Sequence, residues 1–401
     1  MKAVVWQGIG DIRIAEVADP KIADPNDVVV RLTTSAICGT DLHFVRGTMS
    51  GLKPGTVLGH EGVGVVEQVG PGVRNLLEGD RVVIPSTIGC GFCSYCRAGY
   101  YSQCDNANPG GKQAGTAFFG GPEAAGGFDG LQAEKVRVPY GNVGLVKLPD
   151  DVGDDDAIML SDIFPTAYYG AELAEVGPGD VVAIYGAGPV GQFAIWSAFH
   201  LGAGRVIVVD RIPDRLASAQ REGAEVVDFD REDPIEAIME LTGGAGADRV
   251  IDAVGVDAEP ASGGPAAEAS QPRPDEVAEV APEQNPTDEG VFTPGQAPTQ
   301  AAEWAVQSVA KAGSIGIIGV YSPEVGRYPI GEAMNKNLTI KMGNCPHRRY
   351  IPTLLEYVKS GIVEPGAILT QDTPVTSALE AYAAFDQRRP GWMKVSLEPG
   401  A

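Results

Sequence analysis

Valine-rich apolar runs at 28–32, 62–69 and 81–85 are each closed by glycine, proline or another turn residue. Runs of this length and composition read as strands, and their punctuation predicts an irregular, mostly β unit over roughly the first 150 positions. Near residue 155 the pattern changes. An apolar run at 181–185 predicts a buried strand, 190–201 a helix, 205–210 a strand, 213–222 a helix and 226–228 a strand. Such alternation implies a parallel sheet with helices on its faces. Positions 257–300 break the rhythm with eight prolines, many alanines and acids, and almost no apolar period. They predict an inserted loop or mobile excursion. The sheet pattern resumes at 314–320, and no internal repeat is evident.

The 401 residues exceed what one hydrophobic core usually supports, so two domains are expected. Hydrophobic residues make up 44% and charged residues 21%, a globular balance, and no run of about 18 apolar residues offers a membrane span. The start, Met1 to Trp6, enters a strand-like pattern without the basic flank and cleavage site of a signal peptide. A cytoplasmic protein is therefore expected. A net charge of −23 argues against nucleic acid or an anionic membrane as a partner. Part of that charge is local: 257–300 carry nine acids against the single base Arg273, which leaves −15 elsewhere.

The segment Gly186-Ala187-Gly188-Pro189-Val190-Gly191 follows the apolar strand at 181–185 and opens the next helix. In this setting the first glycine permits the tight turn, the second lets a pyrophosphate approach the backbone, and the third lets helix and strand pack closely. Asp210, 19 residues after Gly191 at the end of the next strand, stands where a carboxylate binds a ribose 2′-hydroxyl and repels a 2′-phosphate. NAD is thus expected over NADP, a preference that Arg211 and Arg215 blunt.

Six cysteines could suggest disulfides, but four of them, Cys90, Cys93, Cys96 and Cys104, fall within 15 positions. In a cytoplasmic chain such clustering favours metal. Four thiolates at this spacing close a tetrahedral shell around Zn²⁺ and leave no position for substrate. An iron–sulfur cluster is the metal alternative. A second set of candidates is Cys38, in Ile37-Cys38-Gly39-Thr40-Asp41-Leu42-His43, and His60, in Gly59-His60-Glu61-Gly62. A thiolate and an imidazole suit a catalytic zinc that keeps one position open. Either residue alone would read as core packing, yet with four histidines in the whole chain, two in these glycine-punctuated segments point to chemistry.

Gly59-His60-Glu61 with the following Gly64 and Gly70, the four-cysteine lobe and the glycine loop stand in a specific order. In that order the chain resembles the zinc-containing medium-chain alcohol dehydrogenases over nearly its whole length outside 257–300. The resemblance implies an α/β protein: a GroES-like irregular β catalytic domain plus a Rossmann doubly wound parallel sheet that binds NAD. It places the catalytic domain at 1–165 and 332–401, with the zinc lobe at about 89–106, and the NAD-binding domain at 166–331. The family's third catalytic ligand is often cysteine; here that place falls at Asp162, in Ser161-Asp162-Ile163-Phe164-Pro165-Thr166. The aspartate is similar to that of glutathione-independent formaldehyde dehydrogenases and formaldehyde dismutases. A plain helix N-cap is the other reading of Asp162.

The resemblance further implies two zinc ions per chain. One is structural; the other is held by Cys38, His60 and Asp162, with Glu61 beside it as an occasional ligand. Thr40 would take the substrate's hydroxyl proton, and a ribose hydroxyl and His43 would pass it towards solvent. Asp41 would orient the His60 ring. Arg215 would help hold the adenosine ribose, and Lys394 would reach the pyrophosphate. The substrate is expected to be a small alcohol or aldehyde, the assembly a homotetramer. The glycine-rich stretch 108–130 departs from the formaldehyde enzymes and is expected to line or cover the pocket. Cys345-Pro346-His347 supplies two candidate ligands without a nearby third and reads as a plain turn near the domain junction. Three functions follow: an alcohol dehydrogenase, a formaldehyde dehydrogenase or aldehyde dismutase with tightly held NAD, and a non-catalytic nucleotide-binding protein.

Overall fold

The computed structural model of the chain describes residues 1–111, 115–287 and 290–400. Residues 112–114 of the glycine-rich stretch, the acids Asp288 and Glu289 of the proline-rich segment, and Ala401 lie outside the described residues. The central sheet has six parallel strands in the order Glu225–Asp228, Arg205–Asp210, Val181–Tyr185, Ala247–Asp252, Val309–Ile317 and Thr339–Met342. Numbered along the chain this is 3-2-1-4-5-6, the doubly wound arrangement, whose crevice opens where the strand order reverses. That point lies between Val181–Tyr185 and Ala247–Asp252.

Side chains alternate across each strand, so one run feeds two cores. Val182, Ile184, Val206 and Val208 face the helices Ile163–Leu173 and Pro189–His200, packing on Phe164 and Phe193. Ala183, Tyr185, Ile207 and Val209 face the opposite layer, with Ile238 and Trp304. Each such valine or isoleucine contributes about 1.5–3 kcal/mol by burial. Proline stands in the first turn of the helices Pro189–His200, Pro213–Arg221 and Pro234–Leu241, where its missing N–H has no partner to lose.

A seven-stranded, mainly antiparallel sheet carries the rest, with Val28–Ile37 at its middle. That strand pairs with Gly62–Val69 through two register shifts, which bend it, and with Val395–Glu398 from the far end of the sequence. A three-stranded sheet of Asp11–Glu16, Lys2–Gly8 and Thr56–Val57 flanks it. No helix among the described residues is long and apolar enough to cross a membrane.

Expected element positions hold to within a few residues, except that the strand placed at 28–32 continues to Ile37 and the strand placed at 314–320 runs from Val309 to Ile317. The segment at 257–300, expected to loop out, is packed instead. It contains the short helix Pro274–Val280 and buries Val277, Val280, Ala281 and Ala297. Its lack of periodicity has a physical reason: charged pairs fix it as much as apolar contacts do. Arg273 donates to the Glu303 carboxylate at 2.8 and 2.6 Å and lies 3.6 Å from the buried Glu276.

Candidate active site and metal centres

A cavity of about 640 Å³ lies between the two large sheets, lined by Cys38, His60 and Asp162 on one side and Gly186, Gly188 and Asp210 on the other. The strand Val28–Ile37 delivers Cys38 to the N-terminus of the helix Gly39–Arg46. Asp41 in the first turn reaches back to accept from Cys38 N–H at 2.9 Å, and its other oxygen lies 3.1 Å from His60 Nδ1. The ring's Nε2 is turned towards Asp162, 3.2 Å away. Asp162 sits at the break between the helices Asp154–Ser161 and Ile163–Leu173. It is the N-cap of the second by position, yet its side chain caps no backbone N–H. The capping reading thus loses its hydrogen bond.

Cys38, His60, Glu61 and Asp162 each place one donor atom within 4.8 Å of all the others. His60 Nε2 lies 3.2 Å from Asp162 Oδ2 without forming a hydrogen bond, and it and Glu61 Oε1 are buried with no partner among the described residues. Buried polar atoms without partners are costly, and a cation between them removes that cost. A thiolate, an imidazole and a carboxylate around one point are the donors that zinc takes. The residues fit zinc.

The turn at Cys345-Pro346-His347 does open the helix His347–Lys359, but it is not a plain turn. His347 is buried, with Nε2 2.6 Å from Asp162 Oδ1 and Nδ1 3.0 Å from the Thr87 hydroxyl. Thr166 Oγ1 also donates to Asp162 Oδ1 at 3.1 Å. Burial opposes ionisation of Asp162, but the hydrogen bond from His347 and the imidazole of His60 close by hold it well below the usual carboxylate range. Sequence reasoning set His347 aside as part of a plain turn because its partner lies 185 positions away. The usable sign was its scarcity, one of four histidines in the chain.

Thr40 and His43 lie on the same helix and line the cavity. His43 Nδ1 faces the Thr48 hydroxyl at 2.9 Å and Asp257 Oδ2 at 3.0 Å. On the opposite wall, Gly186 takes a φ of +91°, and a Cβ on Gly191 would fall 1.9 Å from the Gly186 carbonyl oxygen. Gly188 caps the helix Pro189–His200 without a side-chain hydrogen bond, and Pro189 and Val190 of the first turn line the cavity, with Gly191 buried behind them. Asp210 accepts from Arg211 and Ile212 N–H at 2.6 and 2.9 Å and from Ala187 N–H at 2.7 Å. This locks the carboxylate beside the loop. The Arg215 guanidinium stands 3.5 Å from where a Gly188 Cβ would be.

Lys394 does not reach towards the loop. Its ammonium is buried and donates to Glu61 Oε2 and, at 3.0 Å, to the Ile37 carbonyl, because the strand that follows it, Val395–Glu398, lies beside Val28–Ile37. Arg46 and Arg388, which the sequence did not single out, line the cavity as well. Burial, with Arg215 and Arg46 nearby, pushes the Arg388 guanidinium down to about 10.

The sulfurs of Cys90, Cys93, Cys96 and Cys104 also lie within 4.8 Å of one another, and none is in a disulfide. Backbone N–H groups point at them: Cys90 N to Cys104 Sγ at 3.2 Å, Cys93 N to Cys90 Sγ and Cys96 N to Cys93 Sγ, both at 3.4 Å. Hydrogen bonding from Cys96 holds the Cys104 thiol well below its ordinary value, against burial. This donor set is the closed, structural kind.

The alcohol dehydrogenase GroES-like domain family matches residues 24–150, and the zinc-binding dehydrogenase family matches residues 189–262. The chain is 36% identical over 403 residues to an uncharacterized zinc-type alcohol dehydrogenase-like protein of Bacillus subtilis (strain 168), covering 100% of both. It is 41% identical over 268 residues to the glutathione-independent formaldehyde dehydrogenase of Pseudomonas aeruginosa, which spans 64% of this chain and 66% of that one. Among solved structures, the alcohol dehydrogenase TADH from Thermus sp. ATN1 matches with a TM-score of 0.80 at 34% identity, covering 99% of each chain.

Proposed function

This chain belongs to the zinc-type medium-chain alcohol dehydrogenase family, and on that premise we propose that it transfers hydride between a small alcohol or hydrated aldehyde and NAD. The observation that carries the reading is one cavity shared by the Cys38–His60–Asp162 donors, the Thr40–His43 pair and the uncapped glycine loop. Cys38, His60 and Asp162 hold a catalytic zinc with Glu61 beside it, and Cys90, Cys93, Cys96 and Cys104 hold a structural one. Gly186, Gly188, Pro189, Val190, Gly191, Asp210 and Arg215 hold NAD. When bound, zinc polarises the substrate oxygen and the nicotinamide accepts the hydride. The protein supplies the rest. Thr40 accepts the hydroxyl proton, His43 carries it away from the reacting carbon, and Asp41 keeps the His60 ring in place.

The catalytic part is 1–165 with 332–401, the nucleotide part is 166–331, and the assembly is a homotetramer, which light scattering tests. A steady-state panel of alcohols and aldehydes, run with metal analysis, tests the activity; absence of NAD(H)-dependent turnover across the panel and of dismutation products would sink it. Asp210, fixed by three backbone N–H groups, favours NAD; Asp210→Ser should shift the preference towards NADP, and equal or better kcat/KM with NADP in the unaltered protein would refute it. Asp162 in the third ligand position, and the likeness to the formaldehyde enzyme, favour a second reading, aldehyde dehydrogenation or dismutation. Dismutation yields alcohol and acid without net NADH. A protein that binds nucleotide and turns over nothing would be the non-catalytic alternative.

A further inference from the structure

The proline-rich segment plants one carboxylate deep in the cleft. Asp257 ends the short turn Gly255–Asp257, which follows the sheet strand Ala247–Asp252, and is only 8% exposed. Its Oδ2 accepts from Arg46 Nη1 at 2.6 Å and lies 3.0 Å from His43 Nδ1, while Oδ1 accepts from Gly295 N–H at 3.2 Å. Arg46 Nε in turn donates to Asp386 Oδ1 at 2.8 Å, and Asp386 Oδ2 accepts from Phe292 N–H at 2.7 Å. The same segment therefore holds Arg46 directly through Asp257 and indirectly through Phe292 and Asp386.

We propose that Asp257 is a positioning residue for His43, fixing its neutral imidazole as the Nδ1–H tautomer and leaving Nε2 as the proton-accepting base. The inference rests on the reading of His43 as the proton carrier and says how the fold prepares it. An ionised carboxylate has only lone pairs to offer. A bare Nδ1 lone pair 3.0 Å from it, in a buried site, would set two acceptors against each other; a hydrogen on Nδ1 resolves the contact. Asp257 is ionised: burial alone would raise it, but Arg46 and then His43 hold it far below the usual carboxylate range. The Thr48 hydroxyl is free to accept as well, since its own proton points to the His43 carbonyl at 3.4 Å. Nε2 makes no hydrogen bond to a described residue, and the ring borders the cavity.

The proton balance is simple. Nε2 gains the proton that leaves the substrate hydroxyl by way of Thr40, the imidazolium pairs with Asp257, and the same proton then goes to water. Asp257 keeps its charge because Arg46 remains bound to it, as in other carboxylate–imidazole pairs where the acid orients but is not protonated. The charged groups around the pair are Arg46, Asp386, and beyond Arg46 the guanidinium groups of Arg215 and Arg388.

The test uses the full-length protein labelled with ¹⁵N-histidine, in which four histidines give few signals and His43→Gln identifies the relevant pair. The expected spectrum of unaltered protein shows the proton on Nδ1. Asp257→Asn, whose amide can donate to Nδ1, should move it to Nε2. It should also lower kcat for alcohol oxidation by about 10²-fold near neutral pH with KM little changed, and activity should recover as pH rises. Asp257→Glu should restore the tautomer and much of the rate. A proton on Nε2 in the unaltered protein overturns the proposal, as does an Asp257→Asn protein with unchanged tautomer and pH profile. If Asp257→Asn does not fold, the unaltered protein's spectrum still decides. Absence of any alcohol turnover with the Nδ1–H tautomer present counts against the functional reading and for the assignment.

Discussion

Aspartate at position 162 changes what the metal site can do. Oxygen gives less charge to zinc than thiolate does, so the proposed ligand set makes a stronger Lewis acid, suited to a hydrated aldehyde as well as an alcohol. A carboxylate also has a second oxygen to satisfy, and here His347 and Thr166 satisfy it. Asp162→Ala should yield one zinc per chain in place of two by metal analysis, with the four-cysteine zinc retained. Two zincs and near-normal turnover would instead point to Glu61 as the completing ligand. His347→Ala leaves both ions in place but should weaken the catalytic one by about 10–100-fold in chelator competition, because outer partners orient the ligand. At this scale the sequence was legible where partners are near neighbours. The four cysteines declare themselves by their spacing. Asp162 was readable only through resemblance, and His347, Arg46 and Asp257 were not, because their meaning comes from residues more than a hundred positions away.

At the scale of elements, apolar period located the central strands and the helices on their faces, since burial on both faces demands unbroken valine and isoleucine. It failed at 257–300 because what holds that segment is ionic as well as apolar. Glu276 is 3% exposed and accepts from Arg327 at 3.2 Å and from the Thr299 hydroxyl at 2.8 Å, with Arg273 bridging to Glu303. Removing Arg273 strands part of that charge, at a cost of about 1–3 kcal/mol. Arg273→Ala should therefore speed amide exchange within the helix Pro274–Val280 and its neighbours while leaving Val181–Tyr185 as protected as before. Uniform loosening of both regions would show that the segment is not a separate unit of stability.

Across the whole molecule, the two proposed metal centres differ in how they are built. The four-cysteine site comes from one short lobe, whereas the other draws on residues 38, 60 and 162 and opens on the cavity. Mild chelation should abolish activity before it unfolds the protein, followed by turnover and circular dichroism in parallel. Activity that outlasts the exchangeable ion would remove zinc from the mechanism. The Lys394 contact carries a consequence of another kind, about the order in which the chain is made. Glu61 and Ile37 emerge early from the ribosome, and the ammonium that pairs with one and caps the other's carbonyl arrives 333 and 357 residues later. Until then the strand Val28–Ile37 has a bare edge where Val395–Glu398 will lie, and a buried carboxylate beside the future metal ligands has no counter-charge. The surroundings of Glu61 are thus complete only once residues 394–398 have been made, whereas the four proposed zinc-binding cysteines are all present by residue 104.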